Sequence, residues 1–264
     1  MTDFLVVSAA AAAVCVLAML LTAYAARRAG RVSVVDVTWG LALAAVALVS
    51  AVLGEALGDP STLRRWTVLV LVALWGTRLS WHVWRRAVSP QGHGHGEDPR
   101  YTELLGSGRG GPLVRVWIPQ GAAIWFVSLP VQVSAVAGDG VGVVAVLGVL
   151  VWLLGVTFES VGDAQLAAYK RDPDGGPVMD RGLWRYTRHP NYFGDSAVWW
   201  GLWLVSFTGW WSLATLLAPV VMTYFLVHAT GARLLEQTMM RRPGYPEYAA
   251  RTSMFLPLPP RKTR

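Results

Sequence analysis

Phe4-Leu-Val-Val-Ser-Ala-Ala-Ala-Ala-Ala-Val-Cys-Val-Leu-Ala-Met-Leu-Leu-Thr-Ala-Tyr24 is a run of 21 residues without a charge. As an α-helix it would be about 30 Å long, the thickness of a bilayer's hydrocarbon core. Runs of the same character follow at 37–54, 66–77, 116–138, 141–158, 196–208 and 210–231. The third continues through 79–84 beyond Arg78, and the sixth is short enough to be tilted or partly re-entrant. The pattern predicts an all-α, polytopic membrane protein with seven transmembrane helices and one integral membrane domain. A cleaved leader fits the first run poorly: Arg27 and Arg28 follow it, and it exceeds the roughly 7–15 apolar residues of a signal peptide.

Composition agrees. Hydrophobic residues make up 54% of the 264 and charged residues 15%, with a mean hydropathy of +0.41, whereas soluble domains carry about 25% charge. Basic residues set the expected orientation. With an outside amino terminus, the segments 25–36, 78–115, 159–195 and 232–264 face the cytoplasm and hold 21 of the 23 Lys and Arg. The other two, Arg64 and Arg65, share the second loop with Glu55 and Asp59. The net charge of +7 therefore reads as anchoring in a bacterial inner membrane, against its lipids, and not as nucleic-acid binding. Trp75, Trp81, Trp84, Trp210 and Trp211 suit interfacial belts. The lone Cys15 lies within the first span and excludes an intramolecular disulfide or a multi-cysteine metal site.

Between the spans, 88–112 is rich in Gly, Pro and charge and reads as an irregular loop. It holds Gly106-Ser-Gly-Arg-Gly-Gly111, which lacks the strand and helix of a nucleotide-binding turn. His93 and His95 have no third ligand nearby, so no metal is expected. The proline-rich, basic tail after Met254 is expected to lie along the cytoplasmic surface.

Ionisable groups at membrane depth are costly and mark buried pairs or function. Here they fall on one side. Asp36 opens the second span; Arg78, His82 and Arg85 share one face of the third. Glu159 and Asp163 end the fifth, Asn191 and Asp195 open the sixth, and His228, Arg233 and Glu236 end the seventh. Structural pairing would join Arg78 to Asp36 or Arg233 to Glu236, but convergence at one depth favours a site. Around it stand Arg85, Arg86, Arg100, Lys170, Arg171, Arg181, Arg185 and Arg188, interleaved with Tyr101, Trp184, Tyr186 and Tyr192. Guanidinium groups grip phosphates, aromatic faces stack on flat rings, and carboxylates accept from ribose hydroxyls or an amide. A phosphorylated aromatic cofactor uses all three; an anionic lipid headgroup uses only the arginines.

The stretch Asp180-Arg-Gly-Leu-Trp-Arg-Tyr-Thr-Arg-His-Pro-Asn-Tyr-Phe-Gly-Asp195, followed by Trp199-Trp200-Gly201, resembles the membrane steroid 5α-reductase family. It looks most like the bacterial branch long labelled only as a domain of unknown function, and it is also similar to the sterol C14-reductases. Asp36-Val-Thr-Trp-Gly40, Glu97-Asp-Pro-Arg-Tyr101, Glu159-Ser-Val-Gly-Asp163-Ala-Gln165 and Tyr245-Pro-Glu-Tyr248 extend the likeness over 36 to about 260. The resemblance implies NADPH held from the cytosol, mainly by 159–260, and a lipophilic, steroid-like enone entering from the bilayer. Glu159 and Asp163 match positions near the cofactor's ribose and amide. Arg85, Arg100, Lys170, Arg171 and Arg181 match or neighbour its phosphate positions, and Asn191 and Asp195 match the nicotinamide side. Tyr101, Tyr186, Arg188, His189, Tyr192, Arg233 and Glu236 complete the expected cofactor site.

The family holds the substrate carbonyl with a glutamate on the second span and a tyrosine on the third. Asp36 and His82 are their best matches, so these two are the expected catalytic residues. The expected reaction is hydride transfer to an α,β-unsaturated carbonyl, with His82 stabilising charge on oxygen and Asp36 orienting it or, if protonated, donating directly. Isoprenylcysteine and phospholipid methyltransferases share the Arg-His-Pro core and bind S-adenosylmethionine. Asp195 and a single Glu236 preceded by Leu235 depart from their double-glutamate ending. An S-adenosylmethionine-dependent methyltransferase is thus the alternative, and a non-enzymatic lipid-binding protein the third reading.

Overall fold

The computed structural model describes residues 1–59, 61–88, 96–106, 110–137, 142–172, 174–229 and 231–261. His93 and His95 lie outside them, as do residues 107–109 of the glycine-rich stretch at 106–111. The described residues are mostly helical, with no strand and a single parallel bridge between Thr187 and Ser253. Among the described residues, each apolar run lies largely in helix. Four stretches are long and apolar enough to cross a membrane: Thr2–Ala29, Val32–Ala56, Val143–Tyr169 and Ser212–Met239. Their exposure is that of a membrane-embedded protein. Leu17, Leu20 and Leu21 are more than half exposed while Ser8 and Thr22 of the same helix are buried, as expected where the solvent is lipid.

The chain forms two compact units, Met1–Gly142 with Ser206–Thr215, and Val143–Val205 with Leu216–Arg264. In the first, α1 (Thr2–Ala29), α2 (Val35–Ala56) and α3 (Thr62–Val88) are long. The fourth apolar run is broken into α5 (Ile118–Val127) and α6 (Leu129–Ser134), each opened by a proline. A helix, α4 (Pro99–Gly106), occupies part of the stretch read from sequence as irregular. The α2–α3 contact has no room for side chains: a Cβ on Gly40 would lie 2.0 Å from the Gly76 carbonyl oxygen, and Ser80 donates to the Val37 carbonyl at 2.7 Å. Trp75, expected at an interface, is instead fully buried beside this contact. Arg65 is also buried. It meets Glu55 at 2.7 Å and Asp59 at 3.6 Å and donates to the Ala135 carbonyl, tying α3 to α2 and to the end of α6.

Glu97 prepares the start of α2 from 65 residues away, accepting from the backbone N–H groups of Val32 and, at 3.0 Å, Ser33. Burial works against its charge, but these donors outweigh it and hold the carboxyl below its ordinary pKa.

The second unit is built on α7 (Val143–Tyr169) and α8 (Pro190–Val205), followed by α9 (Leu217–Tyr224), α10 (Ala232–Met239) and α11 (Tyr245–Arg251). Glycines at heptad spacing, Gly148, Gly155 and Gly162 on α7 and Gly194 and Gly201 on α8, bring two backbones together. A Cβ on Gly194 would sit 2.5 Å from the Glu159 nitrogen, and one on Gly155 2.6 Å from the Gly194 oxygen. Such approach lets dispersion and weak backbone contacts hold helices where lipid offers no hydrophobic drive.

Candidate functional site

In the second unit, the glycine contact places polar groups from α7 and α8 side by side. Gly162 packs on Pro190 and Asn191, and the next residue of α7, Asp163, accepts from the Asn191 amide at 3.3 Å. Asn191 in turn accepts from the Tyr192 N–H, so its amide plane is held at both ends. Glu159, one turn before Asp163, is 3% exposed, whereas Asp163, Asn191 and Asp195 are half-buried. The Tyr192 ring stacks on His189 with centroids 5.4 Å apart and planes 6° from parallel. Lys170 and Arg171 just past α7, and Arg181, Arg185 and Tyr186 in the approach to α8, are all exposed. These exposed groups are available to a ligand.

Arg188, His189 and Glu236 are differently employed. Arg188 meets Glu236 with both Nε and Nη2, at 2.6 and 2.7 Å, and its Nη1 donates to the carbonyls of Ala249 and Thr252. His189 Nε2 lies 3.2 Å from Glu236, and the Tyr245 hydroxyl donates to the same carboxylate. Burial opposes the Arg188 charge, but Glu236 outweighs it and raises the guanidinium's pKa. A guanidinium with four of its five N–H groups committed holds the fold together instead of a phosphate. The pairing also replaces the expected Arg233–Glu236 pair: Arg233 is exposed. His228 stacks on Tyr224 at 5.2 Å.

The segment after α11 packs back on the chain as a strap. Arg188 N–H donates to Ser253, Leu258 N–H to Tyr186, and the Thr187 hydroxyl to Phe255. Tyr248 donates to the Trp184 carbonyl at 2.5 Å, while the Trp184 ring donates to the Gly162 carbonyl and the Leu183 N–H to Gln165. The loop before α8 is thereby clamped from α7 on one side and from the strap on the other.

In the first unit, Asp36 joins neither Arg78 nor His82. Its Oδ1 lies 2.5 Å from the Tyr101 hydroxyl and its Oδ2 3.0 Å from Arg100, which also binds Asp98 at 2.8 Å. Asp98 foremost, and then Asp36, hold the Arg100 guanidinium pKa above its ordinary value, and burial together with Asp36 raises that of the Tyr101 phenol. Tyr101 is buried, so its ring is not a stacking platform, and Arg100 is engaged with carboxylates instead of being open to a phosphate. A pocket of about 220 Å³ opens beside Asp36, lined from α3 by Val83, Trp84, Arg86 and Ala87. His82 is not among its walls. At about 100° per residue it lies roughly 130° round α3 from the Gly76–Ser80–Val83–Ala87 face. Arg85 shares that far arc and lies over the Trp81 ring at 5.9 Å. Among the described residues no cluster of three metal-ligating side chains occurs.

A family model, described as a protein of unknown function (DUF1295), matches residues 7–252. The chain belongs to the DUF1295 family. No curated protein and no solved structure matches it. Within this DUF1295 chain the matched range takes in both polar clusters, Asp36–Arg100–Tyr101 and Asp163–Asn191 with Arg188–Glu236. Sequence reading missed the Asp36–Tyr101 partnership, the clamping by Gln165 and Thr187, and the glycine heptads. Only the last carries a signal, a seven-residue spacing at 148, 155 and 162 repeated at 194 and 201.

Proposed function

We propose that the protein is an NADPH-dependent reductase of an activated, enone-type carbon–carbon double bond in a lipophilic substrate. In this reading the chain spans the membrane seven times, with its amino terminus outside and its polar clusters at the cytoplasmic side. The observation that carries it is the Asp163–Asn191 hydrogen bond, set beside buried Glu159 and within reach in sequence of exposed Lys170, Arg171 and Arg181. Carboxylates and an amide suit ribose hydroxyls and a carboxamide; exposed cations suit phosphates. The donor set therefore fits a pyridine dinucleotide better than a lipid headgroup, which has no use for the acids.

The chemistry such a cofactor supplies when bound is hydride donation. Asp163, Asn191 and Glu159 would hold its polar groups, and Lys170, Arg171 and Arg181 would neutralise its phosphates. Asp36 and Tyr101 are the carbonyl-side pair. The resemblance calls for a carboxylate with a phenol, and Tyr101 in α4 supports that role better than His82, because its hydroxyl meets Asp36 at 2.5 Å. A phenol and a carboxylate sharing a proton can strengthen a hydrogen bond to a developing enolate oxygen.

Titrating the purified, full-length protein with NADPH and with S-adenosylmethionine tests the assignment. NADPH is expected to bind, and Asp163→Ala and Asn191→Ala are each expected to weaken it by roughly 1–3 kcal/mol while leaving the protein folded. Binding of S-adenosylmethionine alone would establish the methyltransferase instead. Undiminished NADPH affinity in both variants would remove the cofactor site from the α7–α8 contact.

A further inference from the structure

The pocket beside Asp36 has a cationic edge, at Arg31 and Arg86, that the proposed carbonyl-side pair does not use. Val34 and Val37 of the α2 start and Val83 and Ala87 of α3 give it apolar walls, with the partly exposed Trp84 beside them. Its two carboxylates are already engaged, since Asp36 and Asp98 both bind Arg100 at 2.8–3.0 Å. The backbone donors nearest it, Val32 and Ser33, are taken by Glu97. Arg86 also lines it. This guanidinium is exposed and makes no hydrogen bond among the described residues, although its charge also acts on Asp36 across the pocket. Its neighbour Arg85, by contrast, rests on Trp81, and Arg31 supplies a second cation to the same wall.

We infer that this pocket binds the acidic end of a single-chain anionic amphiphile, with its carboxylate on Arg86 and its first methylenes against Val34, Val37 and Val83. Three features select that class. The exposed guanidinium has N–H groups to donate to an anion, and a charge-assisted hydrogen bond is strong. Apolar walls ask for an alkyl group adjoining that anion. The volume of about 220 Å³ lies below the roughly 300–1,000 Å³ of sites that enclose drug-sized ligands, which suits one narrow chain end better than a fused-ring nucleus. The pocket adjoins Asp36, which the reductase reading also uses, but its test is separate: labelling can succeed where NADPH does not bind, and fail where NADPH does.

The test is photolabelling of the full-length protein in neutral phosphatidylcholine nanodiscs. The probes are a long-chain fatty acid carrying a diazirine near its carboxylate and the alcohol of the same chain. The acid is expected to label peptides containing 31–37 and 83–88, and several-fold more strongly than the alcohol. Arg86→Gln should reduce labelling by the acid roughly tenfold, the loss of one charge-assisted hydrogen bond, and leave labelling by the alcohol unchanged. Arg86→Lys should retain part of it, and Arg85→Gln all of it. Arg86 is exposed and makes no hydrogen bond among the described residues, so its loss is expected to leave the protein folded, which the elution profile will verify. Equal labelling by acid and alcohol, equal losses in Arg85→Gln and Arg86→Gln, or label confined to other peptides would each overturn the assignment. Displacement of the acid by equimolar phosphatidylglycerol would overturn the single-chain occupant.

Discussion

Glu236 receives Arg188 twice, His189 once and Tyr245 once, and both partners of the ion pair are well buried, at 10% and 14% side-chain exposure. Removing the acid leaves a guanidinium in a site built for its counter-charge. Glu236→Ala is expected to destabilise the protein by about 3–5 kcal/mol, against a smaller loss for Glu236→Gln, which keeps acceptors for Arg188. Thermal unfolding in detergent, followed by size-exclusion chromatography, reads both. Tyr101 belongs to the same scale. In single-turnover oxidation of bound NADPH by an enone, Tyr101→Phe should slow the reaction on the order of 10²-fold with NADPH affinity unchanged. His82→Ala should leave the rate within a few-fold of the parent. The reverse ranking would return the carbonyl donor to His82.

Helices meet through glycines in both units, and the clearances say which ones cannot change. At Gly194 an added methyl would come within 2.5 Å of backbone on α7 and at Gly155 within 2.6 Å of backbone on α8, whereas at Gly111 it would meet nothing within 4 Å. Backbone cannot rotate away as a side chain can, so the helices must separate. Gly194→Ala or Gly155→Ala is expected to lower stability by about 1–3 kcal/mol and to weaken NADPH binding, because the Asp163–Asn191 bond spans the same contact. Gly111→Ala should be close to neutral in both measurements. The strap after α11 works at this scale too: it converts a proline-rich tail into the outer clamp of the loop that leads into α8.

For the whole molecule the basic residues predict an orientation. Their 21-to-2 division puts Glu103 of α4 in the cytoplasm and Leu57, in the loop after α2, outside. Both positions are exposed, and the only native thiol, Cys15, is buried. A cysteine at 57 should therefore react with an impermeant maleimide in intact cells, and one at 103 only after permeabilisation. The opposite result would invert the topology and move the proposed cofactor site to the wrong compartment for NADPH. Arg64 and Arg65 do not weaken the bias, because Arg65 is neutralised by Glu55 and Asp59 within the protein.

By itself the sequence determined that this chain is helical and belongs in a bilayer. Membrane thickness sets the length of each apolar run, and that requirement is local, readable 21 residues at a time in Phe4–Tyr24. It also marked the carboxylates, the amide and the arginines that do not belong in hydrocarbon. Only the tertiary structure decided how they pair. Asp36 takes Tyr101 across 65 residues and Arg188 takes Glu236 across 48, where the nearer choices in composition were Arg78, His82 and Arg233. Periodicity places a residue on a face of its own helix but contains nothing about which distant face arrives opposite. That choice rests on backbone approach at glycines and on loop paths such as α4 and the strap, which follow from packing of the whole unit.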